Sequence, residues 1–341
     1  MKYARVIFNE MLHLISYNLK MERSLGFPVV YNIETTNYCY MDCIMCPRPH
    51  MTRKLKHMEL GLFQRVIDEA KDWTEFVWLD HFGDPLLNPS LFDMIAYAKS
   101  KKLHIGFSTN ATSLKSDNSR KLINLKLDLL NISLDGTDQE TYQYYRGSNA
   151  NYEKAVGFLE EHIRQKLELH SLFPYTVVSM IKMEKTALQV DAFKKLWSRD
   201  GIDWVLIKQF SAMSGTIDSI NELRTVPKPS DATLPKCYFP WSSVTVLADG
   251  KVVPCCYDYD GQMILGDLAK DSLAAVWNGK KMNRLRRDHI SGDYRKNNLC
   301  RNCVDRRSVR GLGFISKRVR NAIKNKPDRG FDFADVGMWY A

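Results

Sequence analysis

The feature that most constrains the fold of this 341-residue chain is an alternation of strand-like and helix-like segments between residues 28 and 210. Apolar, β-rich runs occur at 29–34 (VVYNIE), 75–82 (EFVWLDHF), 104–110 (HIGFSTN), 129–135 (LLNISLD), 175–182 (YTVVSMIK) and 204–210 (WVLIKQF). Between them lie segments of helical period, such as LGLFQRVIDEAKDW and NYEKAVGFLEEHIRQKL. Strand, helix, strand at this spacing predicts βαβ units with parallel strands. Six repeats fall short of a closed eight-stranded barrel, so the expected fold is α/β, an open, partial (β/α)6 barrel. The loops that carry chemistry in such folds gather at the C-terminal ends of the strands.

The first of those ends is dense in thiols. NYCYMDCIMCPRP places Cys39, Cys43 and Cys46 within eight residues. Disulfides need pairs, and tetrahedral zinc takes four ligands. Three thiolates suit a four-iron cubane, where they leave one iron open. Beyond residue 210 the pattern changes. Residues 211–235 are polar and Pro-containing and read as a linker. SVTVLADGKVVPCCY then reads as two strands around an Asp-Gly turn, followed by the helix DSLAAVWNGKKMNRLRRDHI and by CRNC. Residues 236–305 are therefore expected to form a small cysteine-rich α+β domain with Cys237, Cys255, Cys256, Cys300 and Cys303. CRNC alone more often marks half of a zinc site. A three-cysteine loop on the same chain favours iron–sulfur instead.

Composition is that of a globular protein, 45% hydrophobic and 26% charged. No apolar run approaches the ~20 residues that span a bilayer. Residues 1–27 read as an amphipathic helix without a signal-peptide cleavage pattern, so a cytoplasmic location is expected, where thiols stay reduced. The net charge of +10 is uneven: nine Lys and Arg against two Asp give +7 within 304–330. This basic extension (306–341) reads as a solvated face or as a contact for an anionic partner, including a peripheral membrane surface. No recognised nucleic-acid-binding motif accompanies it, so no nucleic acid is expected.

On these motifs the sequence resembles the radical S-adenosylmethionine (AdoMet) superfamily. CYMDCIMC resembles its CxxxCxxC loop, FGDPLLNP its Gly-Glu-Pro-type motif, FSTNAT its Ser/Thr-Asn strand end, and ISLDG a recurrent fourth-strand ending. CYFPWSSVTVLADGKVVPCCYDYDG, LGDLAKDSLAAVWNG and CRNC resemble the twitch/SPASM auxiliary-cluster domains. The resemblance implies AdoMet and two [4Fe–4S] clusters, the first held by Cys39, Cys43 and Cys46 with AdoMet at the open iron. It implies AdoMet contacts from Met45, Gly83, Asp84, Ser108, Asn110, Ser133 and Arg146, the last offering a fork for the carboxylate. Asp84 stands where the family usually has Glu, and Met45 where it often has an aromatic residue. Cys237, Cys255, Cys300 and Cys303 would saturate one auxiliary cluster, with a spacing similar to that of deoxy-scyllo-inosamine dehydrogenases, which oxidise an aminocyclitol alcohol. Cys256 is left over. Strand alternation would point it away from Cys255. It reads as a buried inert thiol, as a hydrogen-atom donor, or as the ligand in place of Cys255.

The resemblance implies an enzyme whose 5′-deoxyadenosyl radical takes a hydrogen atom from a small polar, sugar- or cyclitol-like and potentially anionic substrate. Oxidation of an alcohol, with the auxiliary cluster accepting an electron, is the expected outcome. The alternatives are epimerisation with Cys256 as hydrogen donor, peptide maturation, and a non-catalytic iron–sulfur protein. Peptide maturases often carry an N-terminal recognition domain, whereas fewer than 30 residues precede the first strand here. A reduced flavodoxin or ferredoxin is the implied electron donor. His81, beside the Gly-Asp-Pro motif, is the expected acid–base or hydroxyl-binding residue. Glu34, Lys182 and Lys208 at strand ends, with Tyr257 and Asp258, are further candidates for substrate contact.

Overall fold

Six parallel strands follow one another in chain order: β1 Val29–Ile33, β2 Phe76–Trp78, β3 His104–Thr109, β4 Leu129–Ser133, β5 Tyr175–Lys182 and β6 Trp204–Gln209. They come from a computed structural model that describes residues 2–225 and 236–303. The basic extension from Val304 onward and residues 226–235 of the linker lie outside the described residues. Each strand pairs in parallel with the next, and β6 and β1 are not neighbours, so the arc stays open as expected.

Alternation along the strands separates two apolar layers. Ile105, Phe107, Leu130, Ile132, Val178 and Met180 join the helices in one continuous core, against Phe63, Ile67, Met94, Leu159 and Trp197. The residues between them face the other way. There Phe76, Trp78, Leu129 and Val177 make a separate apolar cluster. Towards the strand C-termini this same face turns polar, at Asp80, Ser108, Asn131, Ser133 and Ser179. The two helices between β4 and β5, Gln139–Arg146 and Tyr152–Glu168, begin at side-chain caps: Asp138 accepts from Thr141 N at 2.8 Å and Asn151 from Lys154 N at 2.7 Å.

β2 is shorter than its apolar run. It ends at Trp78, and Asp80 accepts from Ser108 N at 2.5 Å through its side chain and from Asn32 Nδ2 at 3.2 Å through its carbonyl. The hairpin near residue 250 also differs from expectation. Its strands β7 Ser243–Val246 and β8 Lys251–Val253 pair antiparallel, as the Asp-Gly turn predicts. β7, however, docks in parallel on β1, and β9 Gly266–Asp267 extends the far side. One nine-stranded sheet, β6-β5-β4-β3-β2-β1-β7-β8-β9, thus runs through both cysteine regions. Among the described residues no helix is long and apolar enough to cross a membrane.

Candidate active site

Just after the end of β1, the chain passes through buried Glu34, Thr35, Thr36 and Asn37 into the first cysteine loop. Cys43 is buried, and Cys39 and Cys46 are half-buried. Arg48 Nη2 fastens the loop by donating to Met41 O at 2.7 Å and Asp42 Oδ1 at 2.8 Å. Donors also face the sulfurs. Met41 N and Asn110 Nδ2 lie 3.5 and 3.6 Å from Cys39 Sγ, and Arg146 Nη1 lies 3.8 Å from Cys43 Sγ. Burial pushes the Cys39 thiol up to about 11 and Cys46 up to about 12. A coordinating cation reverses that preference by taking up the thiolate.

The other motif residues converge on this end. A Cβ on Gly83 would sit 2.1 Å from Thr36 O, so only glycine lets the two turns touch. Asp84 N donates to Tyr38 O at 2.8 Å. The Asp84 carboxylate accepts from Leu86 N at 3.1 Å and Thr109 Oγ1 at 2.9 Å, and burial raises it to about 6. Its side chain therefore shapes the loop. Asn131 Nδ2 donates to Ser108 Oγ at 3.1 Å and Ser133 Oγ at 3.4 Å, and Ser133 meets Ser179 at 3.5 Å. Met45 packs in the core. Arg146 is not a free fork: its Nη2 pairs with Asp135 Oδ2 at 2.6 Å while Nη1 faces Cys43. Arg146 Nε and Asn131 Oδ1 are buried without a hydrogen-bond partner among the described residues, as groups awaiting a polar ligand would be.

The second cysteine set is collected from three distant segments. Cys237 precedes the short helix Phe239–Ser242, Cys255 and Cys256 follow β8, and Cys300 and Cys303 lie in and just after the helix Asn298–Asn302. Burial pushes the Cys255 thiol well up, and next in weight come its neighbours Cys256, Cys300, Cys237 and Cys303. β8 ends at Val253, and Cys255 O accepts from Asp258 N at 3.3 Å in a turn. The strand alternation expected to separate Cys255 from Cys256 therefore does not operate. Among the described residues no three His, Cys, Asp or Glu side chains converge on one point as ligands of a single metal ion do. Thiolates of a multi-iron cluster need no common point, because each holds its own iron.

A buried ionic network joins the two cysteine regions. Fully buried Glu34 accepts from Arg53 Nη1 and Nη2 at 2.8 and 2.7 Å and from Ala248 N at 3.0 Å, with His81 Nδ1 at 3.3 Å. Burial alone would raise Glu34, but the bonds from Arg53 and His81 hold it down to about 2. His81 Nε2 meets Cys256 O at 2.8 Å, and Arg53 Nε donates to Tyr259 O at 2.9 Å. Asp260 closes the network, accepting from Thr52 N at 2.6 Å and Arg53 N at 3.1 Å. Both ring nitrogens of His81 are thus engaged, and its side chain is 1% exposed. Glu34 and His81, expected to meet substrate, are both engaged within this network. Asp258 is a turn cap, accepting from Gln262 N and Met263 N, and Lys182 is exposed. Lys208 makes no hydrogen bond or ion pair among the described residues; burial lowers its pKa against the opposing charges of Asp135 and Asp80. Arg53 had no sequence signal, being one cation in the basic run TRKLKH.

A profile of the radical SAM superfamily matches residues 33–177, and one of the SPASM iron–sulfur cluster-binding domain matches residues 237–304. The chain is similar to the tungsten-containing aldehyde ferredoxin oxidoreductase cofactor-modifying protein of Pyrococcus furiosus, 23% identical over 290 residues, or 73% of this chain and 80% of that one. It is also similar to the mycofactocin maturase MftC of Mycobacterium tuberculosis, 25% identical over 182 residues, or 53% of this chain and 45% of that protein. Two solved structures share the fold at 14% identity. SuiB of Streptococcus suis bound to precursor peptide SuiA has a TM-score of 0.59, over 92% of this chain and 76% of that one. BtrN in complex with AdoMet and 2-DOIA has a TM-score of 0.54, over 82% and 93%. The two matched domains imply AdoMet and two iron–sulfur clusters as cofactors. With one profile running from the end of β1 into β5 and the other over the second cysteine set, the chain belongs to the radical S-adenosylmethionine superfamily and carries a C-terminal SPASM domain.

Proposed function

We propose that the protein is an oxidoreductase that turns an alcohol of a small polar, sugar- or cyclitol-like substrate into a ketone. In this reading residues 28–210 form the catalytic barrel and 236–305 the auxiliary-cluster domain. Cys39, Cys43 and Cys46 hold the AdoMet-binding [4Fe–4S] cluster, and Cys237, Cys255, Cys300 and Cys303 the auxiliary one. When bound, these groups supply a 5′-deoxyadenosyl radical and an acceptor for one electron. The alcohol gives up a hydrogen atom from carbon, a proton from oxygen and one electron.

The observation that carries the reading is the polar inner face at the strand C-termini. Asp80, Asn131, Ser179 and Lys208, with Ser108 and Ser133 of the AdoMet side among them, lie beyond the apolar cluster of Phe76, Trp78, Leu129 and Val177. A short ligand rich in hydroxyls fits such a face, because it can both donate and accept at several points. Asp80, whose pKa burial raises, is the assigned acceptor of the hydroxyl proton. Met45, Gly83, Asp84, Ser108, Asn110, Ser133 and Arg146 are assigned to the AdoMet side, Asp84 through its backbone, and His81 to positioning. A reduced flavodoxin or ferredoxin in the cytoplasm would supply the reducing electron.

Cys256 supports a second reading. Its place in the turn beside Cys255 suits a thiol that returns a hydrogen atom to the opposite face of a substrate radical, which would make the enzyme an epimerase. The likeness to MftC and to peptide-bound SuiB supports a peptide substrate as a third. Anaerobic reconstitution tests the first: about eight irons per chain, and one 5′-deoxyadenosine per ketone formed. A product with no net oxidation would overturn it.

A further inference from the structure

The helix Lys2–Asn18 is built inside out. Its protein-facing side carries Asn9, Glu10, His13 and Ser16, all buried, beside Val6 and Leu14. Asn9 exchanges two hydrogen bonds with the Phe27 backbone, at 2.8 and 2.7 Å. His13 Nε2 meets Phe27 O at 2.8 Å, and Ser16 Oγ donates to Leu12 O at 2.7 Å. The outward side holds Phe8, Met11, Ile15 and Leu19 instead, 57, 42, 42 and 69% exposed. Steps of three, four and four residues put them on one stripe. A surface helix ordinarily does the reverse. Single exposed apolar side chains need no explanation, but a continuous stripe of large ones marks a contact surface.

The charges around the stripe say what it contacts. Arg5, Lys20 and Arg23 are exposed along its length and just beyond its end. The helix Lys280–Ser291 adjoins the end of this region: Arg286 Nη1 donates to Glu22 O at 3.1 Å and Arg287 Nη1 to Glu22 Oε2 at 2.9 Å. That helix exposes Lys280, Lys281 and Arg284. Two acids of this region are paired, Glu22 with Arg287 and Asp72 with Arg5. A second copy of this face would bring like charges together. An apolar stripe rimmed by cations is the makeup of a helix that lies in the headgroup region of an anionic bilayer.

We infer that the helix Lys2–Asn18 docks the protein on an anionic lipid surface, with Phe8, Met11, Ile15 and Leu19 entering the interface. This surface is independent of the reaction proposed above. The test is co-sedimentation of the full-length, cluster-loaded protein with phosphatidylcholine vesicles, with and without phosphatidylglycerol. Binding is expected only with phosphatidylglycerol, weakened by added salt. The double variant Phe8→Ser/Leu19→Ser should lose roughly tenfold or more in binding. Both side chains point outward, so AdoMet cleavage should be unchanged. Lys20→Glu/Arg23→Glu should weaken binding through the charge alone. Wild-type protein left in the supernatant with both vesicles, or a Phe8→Ser/Leu19→Ser variant that binds as well as wild type, overturns the inference. So does a dimer in sedimentation equilibrium that the same variant dissociates.

Discussion

The two cysteine regions are made in opposite ways. The first is local: Cys39, Cys43 and Cys46 share one loop, and its own residues, such as Arg48, hold its shape. The second is assembled from three segments far apart in the chain, one of which leaves β8, the strand tied to the barrel sheet through β7. Donors aim at the first set of sulfurs from just past β3 and from the helix Gln139–Arg146, whereas the turn of the second is gripped by a network rooted in Glu34. A local site can be lost by changing one ligand. An assembled one can be lost by changing a residue that touches no ligand.

The sharpest way to break this contrast is Cys43→Ala. It should abolish AdoMet cleavage while the second site keeps its iron, read as about half of the iron and no 5′-deoxyadenosine. Near-normal cleavage would show that the first loop is not the radical-generating site. Glu34→Gln comes next. It leaves the partly buried Arg53 guanidinium without the fully buried carboxylate it pairs with, a loss of up to about 3–5 kcal/mol. Its pH signature separates it from general damage. Glu34 is held at about 2 rather than 4.5, so its contribution is complete above about 4.5 and fades as pH falls towards 2. Acid unfolding curves should show this slope in wild type and lack it in Glu34→Gln. Gly83→Ala strikes the first region through its backbone and should cost roughly 1–3 kcal/mol, because a methyl group must displace the Thr36 carbonyl. Unfolding by denaturant measures it, and an unshifted midpoint would mean the two turns are not in contact. Cys256→Ala should have the smallest effect, leaving ketone formation and its 5′-deoxyadenosine stoichiometry intact. Product analysis in deuterated water decides the matter: a solvent deuteron on the substrate carbon, lost in the variant, would make the enzyme an epimerase.

Much of this was legible in the chain. The six apolar runs became β1 to β6 because β1 to β5 are largely buried strands with helices between them and β6 is the half-buried edge of the same sheet, and the first cysteine loop needs only sequence neighbours. What escaped was anything decided by distant partners. Apolar alternation marks β7 as a strand but says nothing of its docking on β1. CC after a strand-like run looked like its continuation, yet the turn begins there and keeps Cys256 near Cys255. Glu34 and His81 looked reactive because strand ends often are. Their burial against Arg53 and the Cys256 carbonyl could not be read from residues so far apart in the chain.

The parallel pairing of β7 with β1 also sets a timetable. β1 is flanked by β2 and β7, and the latter is made about 200 residues later. At ordinary synthesis rates that interval is roughly 10–40 s, long compared with the closing of a hairpin. Through it, the strand leading into the first cysteine loop has one row of backbone donors and acceptors unsatisfied, an invitation to pair with another chain. The nascent barrel is therefore most vulnerable at the edge that will later join its two cysteine regions, and chaperone protection during synthesis matters most there.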